Sequence, residues 1–134
     1  MERIVLASTE TASNELLEFL DTLFIKVDGL ADLEANVQVA ICETFNNAVV
    51  HGNKLDFNKR VTCTFETTDT DFVFTIEDEG EGFDPTKIPD PTLPENIEKT
   101  EGRGVFLTRT LADKVEYMNG GRKVEIRFVR SKLV

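Results

Sequence analysis

Glu43 and Asn47 stand four residues apart in the stretch Ile41-Cys42-Glu43-Thr44-Phe45-Asn46-Asn47-Ala48-Val49-Val50-His51-Gly52-Asn53. Val37, Ile41, Phe45 and Ala48 recur there at helical spacing and make an apolar stripe. Glu43 and Asn47 lie off that stripe on one face, a turn apart. A carboxylate accepts a proton, and a carboxamide offers a neutral oxygen to a hard cation such as Mg2+. The polar flank of any amphipathic helix carries similar residues, so the pair gains meaning only from its neighbours. Gly52-Asn53 reads as the helix stop, because both residues tolerate the left-handed conformation of a C-cap.

Two further stretches carry chemistry. Asp78-Glu79-Gly80-Glu81-Gly82-Phe83-Asp84-Pro85 follows an alternating run directly. An acid at a strand end, beside glycines that permit close approach, suits a donor such as the exocyclic amine of a purine. A glycine-rich turn with surface acids would read the same way. Gly102-Arg103-Gly104-Val105-Phe106-Leu107 precedes a short helical pattern with Val105, Leu107 and Leu111 as its apolar residues. Glycines at a helix start let backbone N–H groups cradle phosphate, and Arg103 adds charge. A hinge and helix cap would need the same glycines.

The elements that position these residues follow from periodicity. Arg3 to Ala7 is a short strand. Ser8-Thr9-Glu10-Thr11 is rich in N-cap residues. Leu16, Leu20, Leu23 and Val27, flanked by Leu17 and Phe24, mark a first helix that Asp28-Gly29 ends. A second helix is expected from near Ala31-Asp32 into the Glu43 stretch. The period then changes to two. Val61, Cys63 and Phe65 face one way, and Phe72, Phe74 and Ile76 likewise across a turn at Thr67 to Thr70. Val115 and Tyr117 open another strand, Asn119-Gly120-Gly121 turns it, and Val124, Ile126 and Phe128 line the last one. The pattern predicts an α/β (α+β) two-layer sandwich. Its sheet is mixed but mostly antiparallel, with helices on one face. Phe72, Phe74, Tyr117 and Phe128 are core by pattern. All four prolines fall at Pro85, Pro89, Pro91 and Pro94, so the segment from Gly82 to Gly104 is expected to be a functional loop, a lid.

Composition narrows the function classes. The 134 residues are expected to make a single domain, 1–134. No apolar run approaches a membrane span, and the N-terminus lacks a signal-peptide pattern, so the expected location is the cytoplasm. Cys42 and Cys63 show no metal-ligand spacing and are expected to be buried thiols. A net charge of −10 argues against direct nucleic-acid binding, although backbone N–H groups and Mg2+ can still hold a nucleotide.

Taken in order, the three stretches resemble the GHKL ATPase superfamily, whose nucleotide site is the Bergerat fold. The likeness spans roughly Arg3 to Phe128. The E-x-x-x-N-A-x-x-H-G form of the first stretch is similar to the anti-sigma-factor serine kinases of bacteria. The resemblance implies ATP and Mg2+ as ligands. It implies Glu43 as general base, Asn47 as Mg2+ ligand and Asn46 beside it. Asp78 matches the acid that binds the adenine amine, with Gly80 and Gly82 in the adjoining turn. Gly102, Arg103, Gly104 and Val105 match the phosphate-proximal segment, although many members carry an apolar or small residue where Arg103 stands. It further implies a sigma factor and a STAS-type anti-anti-sigma protein as partners, a homodimer, and serine/threonine kinase activity. A binding module that uses ATP without transferring phosphate is the alternative. A histidine kinase is disfavoured: His51 is the only histidine, it lies inside the first stretch, and no phospho-acceptor helix hairpin accompanies it.

Overall fold

The computed structural model describes residues 1–9, 11–81 and 103–130. Five strands form one sheet: β1 (Glu2–Ala7), β2 (Arg60–Thr67), β3 (Asp71–Asp78), β4 (Lys114–Met118) and β5 (Lys123–Val129). Their spatial order is β1-β2-β3-β5-β4, and every pairing among them is antiparallel. The two-layer α/β architecture is therefore as expected, without the parallel component a mixed sheet implies. Alternation sets which face is covered. Leu6, Val61, Cys63, Phe65, Phe72, Phe74, Ile76, Val124, Ile126 and Phe128 all point to the buried side. Phe74 sits between Phe65, with ring centroids 4.8 Å apart, and Phe128, which meets it edge-on. Burying each such ring contributes about 1.5–3 kcal/mol, so these three rings clamp the sheet centre to the helices.

Three helices bear on the site: α1 (Ala12–Lys26), α2 (Glu34–Asn47) and α3 (Arg103–Leu111). Leu16, Leu20, Leu23 and Phe24 turn the buried stripe of α1 to the core. The chain leaves α1 at Val27 and reverses through Gly29, whose φ of 84° suits a residue without Cβ. Leu30–Leu33 forms a 3-10 turn, so α2 begins at Glu34, later than its apolar pattern suggests. Val37, Ala40, Ile41 and Phe45 are its buried stripe.

The end of α2 departs from expectation. Ala48–Gly52 continues the helix as a π-helical turn, closed by the Asn53 N–H donating to Ala48 O at 2.8 Å. Asn53 has φ −85°, so Gly52-Asn53 is no left-handed cap. The left-handed residues are instead Lys54 and Leu55, with φ of 53° and 61°. The wider turn moves the reversal two residues on. Asn119, Gly120 and Gly121 all have positive φ and join β4 to β5, as the turn signal predicts. Of the expected lid from Gly82 to Gly104, residues 82–102 lie outside the described residues, and Arg103 and Gly104 already belong to α3.

Candidate nucleotide site

The site is built along the end of α2, which meets the end of β3 through its π-turn and the start of α3 through the face carrying Glu43 and Asn47. Asp78 is the last residue of β3 and points to the helix side of the sheet, since it continues the Phe72, Phe74, Ile76 face. It is only 5% exposed. Its Oδ1 accepts from the Gly80 N–H at 2.9 Å, and its own N–H donates to Arg122 O. Burial raises the Asp78 pKa from its ordinary value, while the Gly80 N–H and Arg122 pull it down. A buried acceptor with one protein donor retains capacity for another.

Glycines let the backbones close around Asp78. A Cβ on Gly52 would lie 2.3 Å from Asp78 Oδ2, and a Cβ on Gly80 would lie 1.9 Å from Gly52 O. The π-turn and the strand end thus meet glycine to glycine, with the carboxylate laid over Gly52. This is the reason Gly52 is needed, rather than the left-handed cap its type suggests.

Asn53, buried to 1% exposure, joins the segments behind Asp78. Its Oδ1 accepts from the Glu79 N–H at 3.0 Å. Its Nδ2 donates to Ser8 Oγ at 2.7 Å and to Arg60 O at 3.0 Å. Ser8 Oγ in turn donates to Lys59 O at 2.8 Å. Glu79 closes the loop by accepting from the Arg60 N–H. The sequence offered no sign of this role beyond a polar residue at a helix end.

The other end of the site lies between helices. Glu43 and Asn47 are both half-buried on the face of α2 that meets α3. A Cβ on Gly104 would lie 2.7 Å from Glu43 Oε2 and 3.5 Å from Asn47 Nδ2, so glycine lets the start of α3 sit against both. Thr44 Oγ1 donates to Ala40 O at 2.8 Å, Thr108 Oγ1 donates to Gly104 O at 2.8 Å, and the two hydroxyls are 3.4 Å apart across the seam. Val105 is buried. Arg103 is the first residue of α3. Asn46 is exposed on α2. Gly82 and Gly102 lie outside the described residues. His51 is exposed on the π-turn.

A strand-end acid held over a glycine, a Glu/Asn helix face and a glycine opening a third helix are thus brought together. The model of the histidine kinase-like ATPase domain matches residues 5–129. The chain belongs to that family. The superfamily expectation is borne out, and with it ATP as the nucleotide the domain takes. No curated protein matches the chain in sequence.

The residues present fit such a ligand. Asp78 offers a buried acceptor to an amine, and Gly104 lets the start of α3 close on Glu43 and Asn47 without a side chain between them. Among the described residues no three His, Cys, Asp or Glu side chains cluster as a metal site. A Mg2+ ion here would take a single protein oxygen from Asn47 and rely on phosphate oxygens and water, the usual habit of this ion. No helix of the described residues is long and apolar enough to cross a membrane.

Proposed function

We propose that this histidine kinase-like ATPase domain is a Mg-ATP-dependent protein serine/threonine kinase. It phosphorylates an anti-anti-sigma partner of the STAS type and sequesters a sigma factor. The observation that carries the reading is the approach of Glu43 to Gly104, with Asn47 beside it. A carboxylate at the start of a helix that receives phosphate is placed to take the proton of an attacking hydroxyl. The E-x-x-x-N-A-x-x-H-G form of the α2 stretch supports a serine kinase, and within these 134 residues His51, in that stretch, leaves no separate histidine acceptor.

In the transfer, the acceptor hydroxyl oxygen bonds to the γ-phosphorus and the bond to the bridging oxygen breaks. Glu43 receives the hydroxyl proton and ADP leaves. Asp78 holds the adenine amine, and the backbone of Gly104 and Val105 faces the phosphates. Mg2+ held by Asn47 would neutralise charge on the phosphates. Phosphoryl transfer depends mainly on such positioning and electrostatics. The charge of −10 suits a partner with a basic patch, as sigma factors carry for DNA. The complex is therefore salt-sensitive, and a homodimer is the expected assembly.

The test is phosphate transfer from ATP to STAS proteins of the same source, with two variants. Asn47→Ala weakens Mg-nucleotide binding and everything after it. Glu43→Ala keeps binding but slows transfer by about 100-fold or more, since a base acts only in the transition state. Equal loss of binding in both variants removes the division of roles. Absence of transfer to any STAS protein, with transcription from the cognate sigma factor unaffected, replaces the kinase by a binding module.

A further inference from the structure

We infer that Asn53 is a positioning residue for nucleotide selection: its carboxamide fixes the Asp78-Glu79-Gly80 turn and thereby aims the Asp78 carboxylate at an adenine amine. The inference rests on the reading that Asp78 receives adenine. It assigns the selectivity of that acid to a residue that does not touch the base.

The carboxamide has one possible orientation. The Glu79 N–H is a donor and must face Oδ1, and Arg60 O is an acceptor and must face Nδ2. Ser8 Oγ accepts from Nδ2 because its own proton goes to Lys59 O. Asn53 is also tied at its backbone: its N–H donates to Ala48 O and its carbonyl accepts from the Asp56 N–H. Every polar atom of the residue is therefore engaged, and the side chain is buried. Such a side chain has no freedom of its own, so it transmits position.

What it transmits is the place of the Glu79 amide. Glu79 lies between Asp78, whose carboxylate would face the base, and Gly80, whose N–H holds that carboxylate at 2.9 Å. Gly80 in turn lies against Gly52 O, the residue just before Asn53. Asn53 and Gly52 thus grip the turn from adjacent positions, one by a hydrogen bond and one by contact. Adenine presents an amine where guanine presents a carbonyl. Discrimination depends on the carboxylate being held where it can accept from one and repel the other. A turn released at Glu79 lets the carboxylate rotate toward solvent.

The experiment compares Asn53→Ala with Ser8→Ala, reading ATP and GTP affinities by calorimetry with Mg2+, and thermal midpoints alongside. Ser8→Ala removes hydrogen bonds from the same network but leaves the Oδ1 contact to Glu79. It is expected to lower the midpoint and keep the ATP-over-GTP ratio. Asn53→Ala is expected to lower the midpoint and also shrink the ratio about tenfold. An unchanged ratio in Asn53→Ala, or an equal fall in both variants, overturns the inference. If Asn53→Ala does not fold, Asn53→Ser replaces it, since its hydroxyl is one bond too short to reach the Glu79 N–H. Hydrogen exchange of the Glu79 amide in nucleotide-free protein separates this from the underlying reading. Faster exchange in the Asn53 variant supports the grip, and unchanged exchange refutes it. Wild-type protein that prefers neither nucleotide refutes the assignment of Asp78 instead.

Discussion

The two ends of the nucleotide site are built by opposite means. Around Asp78 the neighbours are backbone: Gly52 beneath the carboxylate, the Gly80 N–H that it accepts from, and the next residue, Glu79, whose N–H is locked by a buried carboxamide. Around Gly104 the neighbours are the tips of Glu43 and Asn47, half-exposed side chains with rotamers to spare. A base must be recognised by shape and needs a fixed frame. A transferring phosphate passes through several positions and needs groups that can follow it. On the proposed reading, the contrast separates recognition, cast in main chain, from chemistry, carried on side chains.

Paired glycine substitutions break the comparison most directly. A Cβ at Gly80 meets main-chain carbonyl, which cannot yield without moving the π-turn. Gly80→Ala should lower unfolding free energy by about 3 kcal/mol, read as an earlier urea midpoint. A Cβ at Gly104 meets the far end of Glu43, which can swing aside. Gly104→Ala should cost less than about 1 kcal/mol and spoil phosphate transfer. Equal destabilisation by the two would erase the distinction.

Asp78→Asn sharpens it. The amide keeps the shape and an acceptor for the Gly80 N–H but turns a donor toward the adenine amine. ATP affinity should fall roughly 10- to 100-fold by calorimetry. Stability should move the other way. Burial raises the Asp78 pKa, so the folded state holds its proton more tightly than the unfolded chain does. The ionised group therefore costs stability above its folded pKa, and the cost is gone below its unfolded value. Asp78→Asn should melt higher than wild type at about pH 8, with the difference fading as pH falls into the carboxylate range. A lower midpoint at high pH would contradict that sign.

The smallest effect concerns the thiols. Cys63 is buried in β2, and burial pushes its pKa up to about 12. Cys42 is half-buried beside Glu43, and burial raises it less far. A thiol reagent at neutral pH should label Cys42 slowly and Cys63 only on unfolding. Labelling of both at one rate in the folded protein would count against the packing of β2.

Periodicity made much of this legible. Alternation placed the inward residues of β2, β3 and β5, and the i, i+4 spacing put Glu43 and Asn47 on one face, which the structure sets against α3. The second helix start was misplaced because Leu30 and Leu33 extend the apolar pattern through a 3-10 turn. Cys42 was expected to be buried and is half-exposed, because it lies at the margin of the α2 stripe. Val73 alternates onto the outer face yet is buried, lying in register between Glu66 and Arg127 on the central strand. The end of α2 was hardest to read. Gly52 and Asn53 are residue types that stop helices, and nothing local distinguishes that use from contact with residues 26 to 45 positions away in sequence.

One consequence follows from the threonines between α2 and α3. Thr44 and Thr108 each give their proton to a carbonyl of their own helix, so neither depends on its neighbour for a partner. Parting them strands no donor, since the two contacts across the seam, hydroxyl to hydroxyl and Thr108 Oγ1 to Ala40 O, are both long at 3.4 Å beside the 2.8 Å bond each threonine makes within its own helix. The joint behaves as a lubricated bearing rather than a weld. Tilting the third helix on the second costs only those two long contacts in hydrogen bonding, and would carry its glycine toward or away from the carboxylate it faces.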